Sequence, residues 1–257
     1  MNIQFGAHPI YFGLIGFNLT AVIVAIAVLI IALIVKVRRK ETWLFEIVFL
    51  LFLVSLTYMT LHGRLLQYVF PISLPEQPLI DNSLTINYFV NSVLTFMVIP
   101  LLAIFILNRK VSAENLGLKV RNAKNTAAYT AIGIAFAASL YLLADYFFHE
   151  QWVSGYTLDG LVTWVFLVTI LSVFAQTLFY NGLIFNRYLG KESGLLLGLI
   201  AVFSFQSYVG PNALPWIICS MLTVSSELFV TWKTKSVYGA VLIAITVGLI
   251  ELTLQII

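Results

Sequence analysis

Apolar stretches of about 20 residues recur along almost the whole chain, and each is long enough to cross a ~30 Å hydrocarbon layer as a helix. In lipid, only helices and closed barrels satisfy their own backbone hydrogen bonds. The composition agrees with a membrane location, since 61% of the 257 residues are hydrophobic and 10% are charged. The mean hydropathy is +0.99. The sequence therefore predicts an all-α, polytopic membrane helix bundle.

Polar breaks divide this apolar sequence into eight candidate transmembrane helices. The predicted spans are 9–35, 43–70, 84–107, 125–148, 160–187, 194–209, 213–232 and 236–256. A basic polar connector, residues 108–124, is the one plausible division of the chain. It separates an N-terminal three-helix membrane region, residues 1–107, from a C-terminal five-helix membrane core, residues 125–257.

The charges of the connections support this count of spans. With the single exception of Arg64, the lysines and arginines fall in alternate connections. Glu76, Asp81, Glu150 and Asp159 fall in the opposite connections. Because basic connections are retained in the cytoplasm, the pattern predicts a multi-pass topology with both termini outside.

The heptapeptide 176–182, Gln-Thr-Leu-Phe-Tyr-Asn-Gly, lies in the fifth predicted span. It resembles the motif Glu-Glu-x-x-x-Arg-Gly of the CPBP family, which comprises CAAX proteases and bacteriocin-processing enzymes and is also called the Abi family. Gln176 and Thr177 stand at the two glutamate positions, and Asn181 stands at the arginine position. In that family the paired glutamates activate water inside the membrane. The resemblance therefore implies the frame of an intramembrane protease without its catalytic groups.

Other parts of the C-terminal region extend the resemblance. The segment 113–119, Ala-Glu-Asn-Leu-Gly-Leu-Lys, is similar to the juxtamembrane segment that precedes the family core. The family motif Phe-x-x-x-His aligns with a run that has Ser207 at the histidine position, or Gln206 if the register shifts by one residue. The motif His-x-x-x-Asn (or Asp) aligns with Ala244 and Gly248. The resemblance implies a CPBP-like core that has changed at every catalytic position.

The side chains at these positions do not support acid–base catalysis, because amides and hydroxyls do not accept a proton near neutral pH. We therefore expect a pseudoprotease without catalytic residues, metal or cofactor. Two interpretations of the polar side chains remain open. They hydrogen-bond between helices, or they line a pocket that binds a peptide or lipid group without cleaving it. This polar set is Gln176, Thr177, Asn181, Gln206 and Ser207.

Four carboxylates lie inside the predicted spans. Glu46 and Glu227 lie near cytoplasmic ends, and Asp145 and Glu251 lie near outer ends. Because a charge is costly in hydrocarbon, we expect these side chains to reach the interface or to pair there.

The resemblance implies a scaffold or regulator in the bacterial cytoplasmic membrane, in contact with lipid and with a membrane-anchored protein such as a cell-wall enzyme or a membrane sensor. No nucleic-acid partner is expected. Bacteriocin self-immunity and divergent intramembrane proteolysis are the alternatives. The partner surface is predicted on the N-terminal three helices and the outer loop 71–83. The third span carries the candidate residues, because small and amide side chains suit close helix contact in lipid. The candidate residues are Asn87, Asn91, Ser92 and Thr95.

Overall fold

The computed structural model describes residues 46–47, 49–50, 53–54, 79–80, 82–106, 112–148, 155–186 and 213–256. Most of these residues are helical, in agreement with the predicted all-α fold. The predicted spans 9–35 and 194–209 lie outside the described residues. Of the span 43–70, six helical residues are described.

Five helices account for most of the described ranges, and each end lies within two residues of a predicted span. The helix α1 covers residues 82–106 as the consecutive segments Asn82–Val93, Leu94–Val98 and Ile99–Ile106. The helix α2 is Ala123–Phe148. The helix α3 covers residues 158–186 as Leu158–Thr163, Trp164–Ser172, Val173–Thr177 and Leu178–Asn186. The helices α4 and α5 are Ala213–Thr234 and Tyr238–Ile256.

Parts of α1 and α3 have π-helical geometry, in which the hydrogen bond reaches back five residues. In α1 the Ile99 N–H donates to the Leu94 carbonyl, and in α3 the Val173 N–H donates to the Val168 carbonyl. The two π segments of α3, Trp164–Ser172 and Leu178–Asn186, flank one short α-helical segment. The heptapeptide 176–182 therefore straddles a change in helical geometry.

A short parallel strand pair ties two loops together at one end of the bundle. β1 (Leu79–Ile80) pairs with β2 (Gly155–Tyr156), with Leu79 opposite Gly155 and Ile80 opposite Tyr156. Helix α1 follows β1, and α3 follows β2 after Thr157, whose hydroxyl accepts from the Gly160 N–H at 3.1 Å. Both helices therefore start at this end and run in the same direction.

The opposite end of the bundle is organised around the turn of residues 112–122, which we call the connector turn. Helix α2 follows it directly, α3 ends against it, and α5 begins there because the Val237 N–H donates to the Gly117 carbonyl at 3.0 Å. All the basic residues of the described ranges lie at this end, which we call the basic end. They are Lys119, Arg121, Lys124, Lys233 and Lys235. The carboxylates Asp145, Asp159 and Glu251 lie on helices at the other end.

Small side chains allow α2 to pack closely on α4 and α5. One stripe of α2 is buried, and it consists of Thr126, Thr130, Gly133, Ala137, Tyr141 and Ala144. A Cβ atom built on Gly239 of α5 would lie 2.5 Å from both Thr130 Oγ1 and Val230 Cγ1. Without a Cβ atom at residue 239, three helices meet at van der Waals distance, as is common among membrane helices.

Three helices of the described ranges are long and apolar enough to cross a membrane: Thr85–Phe105, Ala123–Phe148 and Leu158–Asn186. Large apolar side chains project from their outer surfaces, and Ile132 of α2 and Phe105 of α1 are 67% and 80% exposed. Such exposure is compatible with contact with lipid tails, which keeps apolar surface out of water.

Candidate functional site

The C-terminal half of α3 is the most enclosed part of the described structure. Every residue from Thr177 to Phe185 is buried except Tyr180, which is partly exposed. Its neighbours include helical residues from the second predicted span, the α1 residues Ala103 and Ile104, and Val237 before α5. The heptapeptide 176–182 is therefore in the interior of the bundle.

Asn181 links α3 to α4 through two hydrogen bonds. Its amide nitrogen Nδ2 donates to Glu227 Oε2 at 3.4 Å, and its oxygen Oδ1 accepts from Thr231 Oγ1 at 3.4 Å. Both distances exceed the usual range of about 2.7–3.2 Å, so each bond is weak. The three side chains are 2%, 8% and 0% exposed, respectively. We call this buried group the polar clamp.

The α4 side of the clamp belongs to a buried polar stripe. Its members recur every three or four residues, which places them on one helix face. They are Ser220, Thr223, Glu227, Thr231 and Thr234, and all are buried. The Thr223 hydroxyl has no hydrogen-bond partner among the described residues. Helix α4 therefore turns a polar face towards the interior of the bundle.

The connector turn closes the basic end of α3, next to the clamp. Asn186 Nδ2 donates to the carbonyls of Glu114 and Asn115, each at 3.1 Å. The turn is braced internally by the ion pair between Arg121 and Glu114, at 2.6 Å. Leu116 is buried in the same apolar cluster as Leu183 and Val237. The segment 113–119 thus docks on the helix that carries the heptapeptide.

Two glycines make this docking possible. A Cβ atom at Gly182, next to Asn181, would lie 2.6 Å from the Leu116 carbonyl oxygen, which is backbone and has little freedom to move. Gly117 has a φ of +70°, a left-handed conformation that side chains disfavour. A Cβ atom there would also lie 3.1 Å from Val237 Cγ1.

The structure brings the predicted polar set together only in part. Asn181 is in the clamp, Thr177 is buried one turn earlier, and Gln176 is partly exposed. Gln206 and Ser207 lie outside the described residues. Gly248 packs on α3 at Thr169, where an added Cβ atom would lie 3.0 Å from Thr169 Cγ2.

Helix α5 runs alongside the segment of α3 that contains Gln176. It contacts Val173–Thr177, and its start lies against Gly182 through Val237. The two helices are antiparallel, since the later position Gly248 meets the earlier position Thr169. Ala244 lies on α5 between Val237 and Gly248 and is partly buried. The helix that contains the heptapeptide and the helix that contains Ala244 and Gly248 are therefore neighbours.

Most of the residues predicted to contact a partner are buried inside the helix bundle. Asn91, Ser92 and Thr95 are 6%, 1% and 0% exposed, because this face of α1 packs on α3. Asn87 is exposed, and its Oδ1 accepts from Asn91 Nδ2 at 2.9 Å. The expected proximity of the two asparagines is thus observed. Burial removes the other three side chains from any outer surface and leaves Asn87 as a candidate for partner contact.

Glu227 has a different environment from the one expected. The sequence places it near a cytoplasmic end, where its carboxylate would reach the interface, but in the structure it is buried and contacts a neutral amide. An acidic residue inside a predicted span is itself a signal of a functional or structural polar site. Its partner was not predictable, because residues 181 and 227 lie on different helices.

The clamp contains one ionisable group and two neutral ones. Within the described part of the chain, no three His, Cys, Asp or Glu side chains lie close enough together to hold a metal ion. The arrangement supplies a hydrogen-bonded carboxyl group in the interior of the bundle. Comparison with protein-family models, with curated proteins and with solved structures finds no match to this chain.

Proposed function

We propose that this protein is a non-catalytic, CPBP-like integral membrane protein that acts as a scaffold or regulator of a membrane-anchored partner. The observation that carries the proposal is the polar clamp. Where the family motif has arginine, this chain has an amide that bonds to Glu227 and Thr231 of another helix. Because the Asn181 side chain joins two helices, we assign it a structural role. The two glutamate positions of the motif hold Gln176 and Thr177, which have no carboxylate to activate water.

The arrangement of the helices supports an eight-span topology for this proposal. Helices α3 and α4 both end at the basic end of the bundle, since Asn186 and Val237 each bond to the connector turn. A chain that joins two such helices needs a further crossing of the bundle, and we assign that crossing to the proposed sixth span, 194–209. In the proposed orientation the basic end faces the cytoplasm of a bacterium.

The direct test is purification of the tagged, full-length protein from native membranes in mild detergent, followed by mass spectrometry. A scaffold requires a membrane protein that co-purifies in a fixed stoichiometry. Recovery of the chain alone from every detergent and lipid condition would contradict the proposal. A bacteriocin-processing protein as the co-purified partner would favour the self-immunity alternative.

A second candidate function is divergent intramembrane proteolysis, and one observation favours it. Glu227 is a carboxyl group in the interior of the bundle, and carboxylates are the groups that activate water in many hydrolases. In this alternative Glu227 acts as the general base and Asn181 positions it.

Glu227→Gln separates the two functions, because glutamine keeps the size and the hydrogen-bonding oxygen of the side chain but accepts no proton. The scaffold proposal predicts that the variant retains the partner and that the partner has the same mass as with the wild-type protein. Glu251→Gln, the same change near the other end of the bundle, is the matched control. A partner that is truncated by the wild type and left intact only by Glu227→Gln would establish proteolysis.

A further inference from the structure

The basic end of the bundle combines cations, all but one of them exposed, with an exposed aromatic strip. Lys124 is the second residue of α2, while Lys233 and Lys235 lie where α4 ends. The turn that precedes α2 contributes Arg121. These residues come from segments that are about 110 positions apart in the chain, and the fold brings them together around the connector turn.

Aromatic rings support one of these cations. The Lys233 Nζ lies 4.1 Å from the centroid of the Trp232 ring and 5.7 Å from that of Phe229. Both rings are nearly half exposed, at 45% and 48%. The ring of Tyr129 on α2 meets Phe229 edge-on, with centroids 6.1 Å apart, so the strip bridges α2 and α4. Aromatic side chains beside a lysine at a helix end are typical of the membrane interface.

Among the described residues, few of the positive charges at this end have a carboxylate partner. Of the basic residues in the described ranges, only Arg121 has a carboxylate partner there, which is Glu114. The pKa of the Lys235 ammonium lies below its usual range, because burial disfavours the charged form and the positive charge of Arg121 acts in the same direction. Lys235 also has a φ of +56°, which is unfavourable for a residue with a side chain. Lys235 and Arg121 therefore lie near each other, and the described residues contain no carboxylate that contacts both.

We propose that this surface binds the headgroup of an anionic phospholipid, with its phosphate between Arg121, Lys124, Lys233 and Lys235 and its acyl chains along Phe229 and Trp232. Exposed apolar rings next to cations match a molecule that is anionic at one end and apolar at the other. Basic surfaces between membrane helices on the cytoplasmic side bind such headgroups. The inference rests on the membrane-spanning arrangement and requires no protein partner.

The test measures lipid binding to the purified full-length protein in a neutral detergent. Phosphatidylglycerol and phosphatidylcholine with identical acyl chains are titrated in parallel, and retained lipid is read by native mass spectrometry. We expect selective retention of phosphatidylglycerol and a higher midpoint of thermal unfolding with that lipid. Inorganic phosphate at the same concentrations should neither raise the midpoint nor compete. Equal retention of the two lipids, or displacement by inorganic phosphate, would overturn the proposal.

The variant Lys233→Gln/Lys235→Gln tests whether the site is local. Because each lysine contributes about a fivefold gain in affinity for an anionic lipid surface, we expect phosphatidylglycerol to bind roughly 10- to 30-fold more weakly. Adding Asp145→Asn and Glu251→Gln at the other end restores the net charge but not the site, so binding should stay weak. Recovery in this control, or unchanged binding in the double variant, would refute a local site. None of these measurements involves the partner, so their failure leaves the scaffold proposal standing.

Discussion

Asn181 donates a weak hydrogen bond to the buried Glu227 side chain, and the effect of a substitution at either position depends on whether the other side chain keeps a partner. A buried polar atom without a partner costs about 1–3 kcal/mol, whereas replacing both partners by apolar groups is nearly neutral. A single interhelical hydrogen bond between membrane helices is worth about 0.6 kcal/mol on average. The cost of an unpaired carboxyl group therefore exceeds the value of the bond itself.

Replacing Asn181 with leucine should lower the free energy of unfolding by about 1–3 kcal/mol, because Glu227 loses its amide donor. The double variant Asn181→Leu/Glu227→Leu should recover most of this loss. Unfolding in detergent by a chemical denaturant measures both variants. If the effects of the two single substitutions simply add, the residues are not coupled and the polar clamp is not a unit.

Gly182 and Gly133 both lie at close contacts, but their neighbours differ. A Cβ atom at Gly182 meets the backbone of the connector turn at 2.6 Å, whereas one at Gly133 meets Ile243 Cδ1, the end of a flexible side chain, at 2.4 Å. Gly182→Ala should therefore lower the free energy of unfolding by about 1–3 kcal/mol, and Gly133→Ala by clearly less. An equal loss in both variants would contradict a rigid contact at Gly182.

At the scale of the structural elements, the position of the connector turn depends on a few contacts. It is held to α3 by Asn186, to the residue before α5 by the hydrogen bond between Val237 and Gly117, and to the apolar cluster by Leu116. Its remaining side chains are mostly exposed. Loss of one of these three anchors should release the turn while the helices stay packed.

Asn186→Leu should release the connector turn, because the carbonyls of Glu114 and Asn115 lose their common donor. Trypsin should then cleave after Lys119 and Arg121 faster than in the wild-type protein, measured on the detergent-solubilised protein by mass spectrometry. Ser225→Ala, a change to an exposed hydroxyl on α4, is the control and should leave the cleavage rate unchanged. Unchanged cleavage in Asn186→Leu would show that the turn does not depend on this contact.

The helices were largely predictable from the sequence, while their mutual register was not. The predicted span 125–148 and helix Ala123–Phe148 differ by two residues at one end, because polar breaks and apolar runs mark where a helix can lie in lipid. The π segments of α3 were not predicted, since their composition does not differ from that of an α-helix. The pairing of Asn181 with Glu227 depends on how α3 and α4 pack, which hydropathy does not specify.

In the part of the chain that the structure describes, basic residues and apolar surface are distributed along one axis. The basic residues of the described ranges gather at the end with the connector turn, and Asp145, Asp159 and Glu251 lie on the other half. Between the two ends lie three helices long and apolar enough to cross a membrane. A membrane protein with its basic end in the cytoplasm has this distribution, since positive connections resist translocation.

The most direct test of this account is the side of the membrane on which each end of the bundle is accessible. In a Cys219→Ala background, single cysteines replace Ser112 or Lys233 at the basic end, Gly155 at the other end, or Glu76 in the predicted outer loop, and intact cells are treated with a membrane-impermeant thiol reagent. We predict that cysteines at 155 and 76 react in intact cells and that cysteines at 112 and 233 react only after the membrane is opened. Labelling of residue 112 from outside, or of all four positions in intact cells, would contradict the proposed membrane topology.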